Sequence, residues 1–229
     1  MERNLTETNI AVAPADLTLD DMRALLAAEL PHHAGFDGWT PVALELAASA
    51  TGIDPAVARL AFSGGAIDMI DAWFAHVDAA MLAGLPPETL GAMKIRARIT
   101  ALVEARLDLV AVDIEALRRA LAVLALPQNL ARAARLNWRA ADAMWRAAGD
   151  TATDFNHYSK RAILGGVYAA TIVAMMADES DDRADTRAFL ARRIEGIMRF
   201  EKFKARFSHS APERISLARF VGRLRYPAV

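Results

Sequence analysis

The run from Met144 to Met176 leaves this chain little choice of local structure. Its first part ends in Ala147-Ala148-Gly149-Asp150, and glycine supplies the left-handed backbone on which helices commonly stop. Thr151 and Asp154 then have the separation of a capping box, in which a hydroxyl and a carboxylate satisfy N–H groups that a new helix leaves unpaired. No proline interrupts the chain from there to Met176. At about 100° per residue, Phe155, Tyr158, Ala162, Gly166, Ala169, Val173 and Met176 form one stripe with a small centre. The other side mixes Asn156, Lys160 and Arg161 with Leu164, Tyr168 and Met175. This pattern predicts two helices meeting at a tight corner. The small face of the second suits close approach by another helix, and its remaining apolar groups suit either a docking surface or a bundle core.

The same bias extends along the chain. Hydrophobic residues make up 54% of the 229 positions, swollen by helix-forming alanine, while β-branched runs are scarce. An all-α fold follows, as one sizeable domain or a small one fused to a larger. The absence of cysteine excludes disulfides, thiolate chemistry and Cys-ligated metal centres. The longest uncharged run, residues 162–177, contains two glycines and falls short of the roughly 20 apolar residues of a spanning helix. Met1 to Thr8 have neither an apolar signal core nor the Arg-rich character of a transit peptide. We therefore expect a bacterial cytoplasmic protein, soluble or peripheral on the inner membrane.

Residues 1–17 lack helical periodicity and are expected to be disordered. Thr18 and Asp21 have capping-box spacing, predicting a helix to Leu30 that Pro31 and Gly35 close. Thr40-Pro41 and Asp54-Pro55 open two short helices separated by Gly52, which is a helix-turn-helix pattern. From Thr40 to Ala66, however, the bases are Arg59 alone against Glu45 and Asp54. A DNA reader needs several phosphate contacts merely to bind non-specifically, so residues 18–83 are read as a helix-turn-helix relic and no nucleic-acid partner is expected. A further helix has Ile67, Ile70, Phe74, Val77 and Met81 on one face. Beyond Gly84-Leu85-Pro86-Pro87, helices are expected over 88–109, 114–125 and 127–148. Their apolar residues exceed what single faces need. The excess either fills a core or lines a cavity for an apolar ligand, with Met93, Leu102, Val103, Leu121, Leu124 and Trp138 as candidates for its walls.

Catalytic motifs are missing. There is no phosphate loop, HExxH or nucleophile elbow. Glu29-x-x-His32 is broken by Pro31 and Asp154-x-x-His157 starts with the shorter acid, so a di-iron bundle is disfavoured. Asp178-Glu179-Ser180-Asp181-Asp182 lacks the spacing of a calcium loop and reads as a solvated turn. No catalytic residue, metal or cofactor is assigned.

Charge separates the two ends. Nine acids face three bases over residues 1–60, and eight bases face two acids over residues 199–229. A helix is expected to about Phe207, then a linker at 208–212 and an amphipathic helix at 213–226. In that last segment Leu217, Phe220, Val221 and Leu224 share a face flanked by Arg214, Arg219, Arg223 and Arg225. An apolar stripe bordered by arginines enters the acyl boundary while guanidinium groups meet anionic headgroups, which makes a membrane surface the expected partner.

Met144-Trp145, Ala148-Gly149-Asp150, Thr153-Asp154-Phe155-Asn156, Tyr158, Arg161-Ala162, Tyr168, Met175-Met176 and Phe189-Leu190 together resemble the coenzyme Q ninth component family. These are non-enzymatic accessory proteins of ubiquinone biosynthesis, a lipid-binding offshoot of the TetR-like regulators. The likeness is dense over residues 120–200 and looser over 20–120. It implies a TetR-like helical bundle whose lipid-binding and dimerisation part covers residues 84–207, with a bound isoprenoid or phospholipid and no other cofactor. It also implies presentation of a polyisoprenoid quinone intermediate to the di-iron demethoxyubiquinone hydroxylase. The matching docking positions are Met144, Asp154, His157, Tyr158, Arg161 and Leu164, with histidine at 157 where relatives can carry tryptophan. Arg161 and Leu164 are expected to face away from the small stripe and to be accessible. Gly165, Gly166 and Ala169 are expected in a homodimer seam. The alternatives are a TetR-like ligand-responsive transcriptional regulator, and a hydrolase or hydroxylase.

Overall fold

In the computed structural model, which describes residues 17–151 and 155–209, Thr18 opens the first helix through a reciprocal cap. The Thr18 hydroxyl meets Asp21 at 2.6 Å and accepts the Asp21 N–H at 3.2 Å. This helix, α1 (Leu19–Asp37), runs straight through Pro31 instead of ending before it. An interior proline costs about 3 kcal/mol, so packing must offset it. Leu30, Pro31 and Ala34 are all buried, and at Gly35 a Cβ would sit 3.8 Å from the Ala116 backbone nitrogen. Trp39 fixes the same contact by donating its indole N–H to the Ala116 carbonyl at 3.0 Å. The helix stops instead at Gly38, whose φ of 72° suits glycine.

Helices α2 (Pro41–Thr51) and α3 (Pro55–Ala61) pack with α1 as the expected trio. Asp54 caps α3 by accepting the Ala56 N–H at 2.6 Å, and Arg23 Nε reaches the Ala61 carbonyl at 2.6 Å. Helix α4 (Ala66–Gly84) leaves this unit with Ile70, Phe74, Val77 and Met81 buried, and it touches α1, α6, α7 and α8. The core is therefore continuous from Met22 to Ile194, across the boundary expected near residue 83.

The helix expected over 88–109 is split into α5 (Pro87–Gly91) and α6 (Ile95–Ala111). Arg98 holds the break open: its guanidinium donates to the carbonyls of Met93 at 2.9 Å, Gly91 at 3.2 Å and Ala148 at 3.0 Å. Carbonyls that continued helix would have satisfied are thus tied to the end of α8. The chain continues as α7 (Ile114–Leu124), a 3-10 turn, α8 (Leu130–Ala147), α9 (Phe155–Met176), a second 3-10 turn and α10 (Ala184–His209). Asp178 starts that last stretch by accepting the N–H groups of Ser180 and Thr186, both at 2.8 Å. The Ser180 and Thr186 hydroxyls, which also donate to it, and then these N–H bonds hold its carboxyl well below the usual range. Because α10 extends to His209, the first two residues of the expected linker are helical. The remaining linker and residues 213–226 lie outside the described residues, as do residues 1–16.

Candidate functional site

The corner between α8 and α9 is built as the Gly149-Asp150 pair predicts. Gly149 has φ 90°, its N–H reaches the Arg146 carbonyl at 2.9 Å, and the Asp150 N–H reaches Trp145 at 2.9 Å. These are the two bonds of a Schellman motif. The turn carries Asp150 to the first turns of α9, where it accepts from Lys160 Nζ at 2.7 Å and Arg161 Nη1 at 3.0 Å. Arg161 also donates to Asp142 at 2.5 Å and to the His157 carbonyl at 3.1 Å. Burial pushes the Asp150 carboxyl up, but the bonds from Lys160 and Arg161 outweigh it and hold the group below its ordinary value. Trp145 completes the corner with an indole hydrogen bond to the Lys160 carbonyl at 3.0 Å.

This network overturns the expected orientation of α9. Arg161 and Leu164 are each only 2% exposed, and Met144 is fully buried. Arg161 turns inward because two carboxylates wait there, which makes burial of a guanidinium tolerable. Leu164 lines a cleft of about 240 Å³ with Ile99, Trp145, Ile163, Ile194 and Ile197. These three residues hold the corner in place and present no surface to a partner. Tyr158, by contrast, is 60% exposed. It stacks near Trp138 of α8, centroids 6.1 Å apart, and meets His157 edge-on at 5.1 Å. The accessible part of the expected patch is thus the His157–Tyr158 pair, and the ring beside it, Trp138, is a residue expected in the lipid cavity. Asp154 lies outside the described residues. Ala162, Gly166, Ala169 and Val173 continue the exposed face along α9, whereas Gly165 points into the bundle.

The other lipid-wall candidates also separate. Leu102 and Val103 are wholly enclosed in the core, and Met93 is half-buried at the α5–α6 break. Leu121 and Leu124 do share a cavity, of about 300 Å³, bounded by α4, α6, α7, α8 and α9. Phe74, Leu136 and Ile172 add apolar wall, and Arg106 with Tyr168 forms a polar floor. Arg106, 1% exposed, donates to Asp78 at 2.7 Å and to the Tyr168 hydroxyl, and stacks 4.8 Å from the Tyr168 ring centroid. Burial pushes the Tyr168 phenol above its usual range, so it stays neutral. Arg139 extends the polar line outward through Asp78, at 3.2 Å, and Asp71. Hydropathy could not flag this floor, because its polar groups are brought together from four helices.

Elsewhere, Arg59, the one basic residue of α3, is paired with Glu45 at 2.5 Å. Glu29 pairs with His33 at 3.1 Å and His32 with Asp113 at 3.0 Å, so the Glu29-x-x-His32 spacing does not bring its two ends together. Among the described residues no helix is long and apolar enough to cross a membrane. The expected membrane residues Arg214, Leu217, Arg219, Phe220, Val221, Arg223, Leu224 and Arg225 lie outside the described residues.

Residues 130–201 match the COQ9 family model. The chain is 37% identical over 168 residues to the rat ubiquinone biosynthesis protein COQ9, mitochondrial, spanning 70% of this chain and 54% of that protein. Its human counterpart is 43% identical over 96 residues, or 42% of this chain and 30% of that one. The chain thus spans about half the length, or less, of these relatives. A TetR transcriptional regulator from Nitrosomonas europaea superposes with a TM-score of 0.61 at 24% identity, covering 76% of this chain and 96% of the regulator, which establishes the fold.

Proposed function

We propose that this COQ9-family chain, with its all-α TetR-like fold, serves ubiquinone biosynthesis as a non-enzymatic lipid-binding accessory protein. The observation that carries the reading is the apolar cavity between α4, α6, α7, α8 and α9, walled in part by Leu121 and Leu124. In a TetR-like bundle whose α3 has its single base paired with Glu45, ligand binding is separated from DNA binding. The cavity takes a polyisoprenoid quinone intermediate. Residues 213–226 hold the protein on anionic membrane, and the exposed aromatic group of Trp138, His157 and Tyr158 docks the di-iron demethoxyubiquinone hydroxylase. The small face of α9 forms the homodimer seam.

The test is lipid extraction and mass spectrometry of the purified full chain beside Leu121→Trp, in which the larger ring occupies the cavity. Wild type is expected to carry an isoprenoid or phospholipid, and Leu121→Trp to carry much less while keeping its helical circular dichroism. Equal lipid content in both proteins would move the ligand elsewhere.

A further inference from the structure

The cavity wall contains a polar side chain that the fold does not use. Asn137 of α8 is half-buried among Leu121, Leu136 and Ile172, and its amide makes no hydrogen bond with any described residue. No buried polar atom is left unsatisfied among the described residues, so the amide keeps access to the cavity space. Its place depends on Gly165 of α9. A Cβ built at Gly165 would lie 2.6 Å from Asn137 Nδ2, closer than such atoms approach. Glycine inside a helix costs about 1 kcal/mol relative to alanine, and here it gives the Asn137 amide room to lie in the wall.

The cavity also has a direction. Arg106 and Tyr168 are buried at one end, while Leu130 and Val173, 55% and 69% exposed, mark the mouth. Arg106 donates to the Tyr168 hydroxyl oxygen, which leaves the phenol O–H as a donor. The cavity of about 300 Å³ is open at this mouth, so a ring head at the Arg106–Tyr168 end has its chain directed outward. A chain attached to that head leaves past Leu130 and Val173.

We propose that Asn137 is the specificity-determining residue of this cavity: its amide hydrogen-bonds a ring oxygen of an amphiphile whose apolar chain exits beside Val173. This deepens the functional reading above and rests on it for occupancy of the cavity. An amide in an otherwise apolar wall selects through its unmade bond, because a head without a matching oxygen leaves it unpaired.

The experiment measures equilibrium binding of two probes to the full chain, a dimethoxybenzoquinone bearing a ten-carbon chain and an alkylbenzene of equal chain length. Wild type is expected to prefer the quinone. Asn137→Leu, close in size, is expected to weaken the quinone by about tenfold and leave the alkylbenzene unchanged. Gly165→Ala, which crowds the amide, should shift affinity in the same direction, with helicity checked by circular dichroism. Unchanged quinone binding in Asn137→Leu, or equal loss of both probes, overturns the assignment while the lipid cavity stands. Failure of wild type to bind either probe overturns the cavity reading and this inference with it.

Discussion

The two faces of α9 come from the same 22 residues and meet opposite fates. One face, with Arg161, Leu164, Tyr168, Ile172 and Met175, is buried against the bundle, although it holds a permanently charged side chain. The other, with Tyr158, Ala162, Gly166, Ala169 and Val173, is exposed although it carries no charge. Burial follows the apolar area a face can remove from water, worth about 25 cal/mol per Å², and the partners waiting for its polar groups. Leucine, isoleucine and methionine outweigh alanine and glycine in area, and Asp142 with Asp150 makes Arg161 acceptable inside. The small, uncharged face is therefore the one that stays exposed.

The sharpest way to break this comparison is to remove the group that makes the inner face polar. Arg161→Ala leaves Asp142 with only Arg146 and Asp150 with only Lys160, and losing charged hydrogen bonds of this kind costs about 1.5–3 kcal/mol. Chemical denaturation is expected to show a midpoint clearly below wild type. A change under about 1 kcal/mol would mean that the corner is not locked by this network. The result also bears on partner studies, since loss of hydroxylase binding in an Arg161 variant would report unfolding of the corner.

Much of this arrangement is written locally and some is not. The Thr18 cap, the Gly149 stop and the helix-turn-helix pair depend on residues within a few positions of one another, and each forms as its spacing predicts. Pro31 misleads because the contacts that carry α1 past it come from Ala116 on α7. Arg98 breaks a helix by bonding Ala148, fifty positions away. Arg161 reads as surface in any hydropathy profile, and only the fold supplies its carboxylates. The cavity floor has the same origin, with Asp78, Arg106 and Tyr168 each on a different helix. Leu121 and Leu124 were recognisable as wall residues from apolar excess, but the same criterion also selected Leu102 and Val103, which are plain core.

On the outer face the effect should appear in association rather than stability. Tyr158 is the most exposed ring of the aromatic group and is the position to test for docking. Tyr158→Ala is expected to weaken hydroxylase binding by about 2 kcal/mol, roughly thirtyfold, as for an interface aromatic anchor. Stability should change little, since the ring is 60% exposed, and lipid content should stay at the wild-type level. A pull-down of the hydroxylase with lipid extraction from the same preparation measures both. Retained binding would place the docking surface elsewhere.

The smallest effect on the fold itself is expected from Ala169→Trp, which adds bulk at the middle of the exposed face. Within one protomer Ala169 is exposed beside Val173 at the mouth of the cavity, where an indole displaces no packed core, so the unfolding free energy should move by no more than about 0.5 kcal/mol. If the small face is a seam, however, two such rings cannot occupy the space that alanine and Gly166 leave for close helix approach, and overpacking acts on the dimer alone. Sedimentation velocity is expected to show a dimer for wild type and a monomer for the variant at equal concentration. A variant that stays dimeric puts the seam on another surface. A variant that unfolds would instead show that the face packs within its own chain, and the distinction between the two sides of α9 would fail.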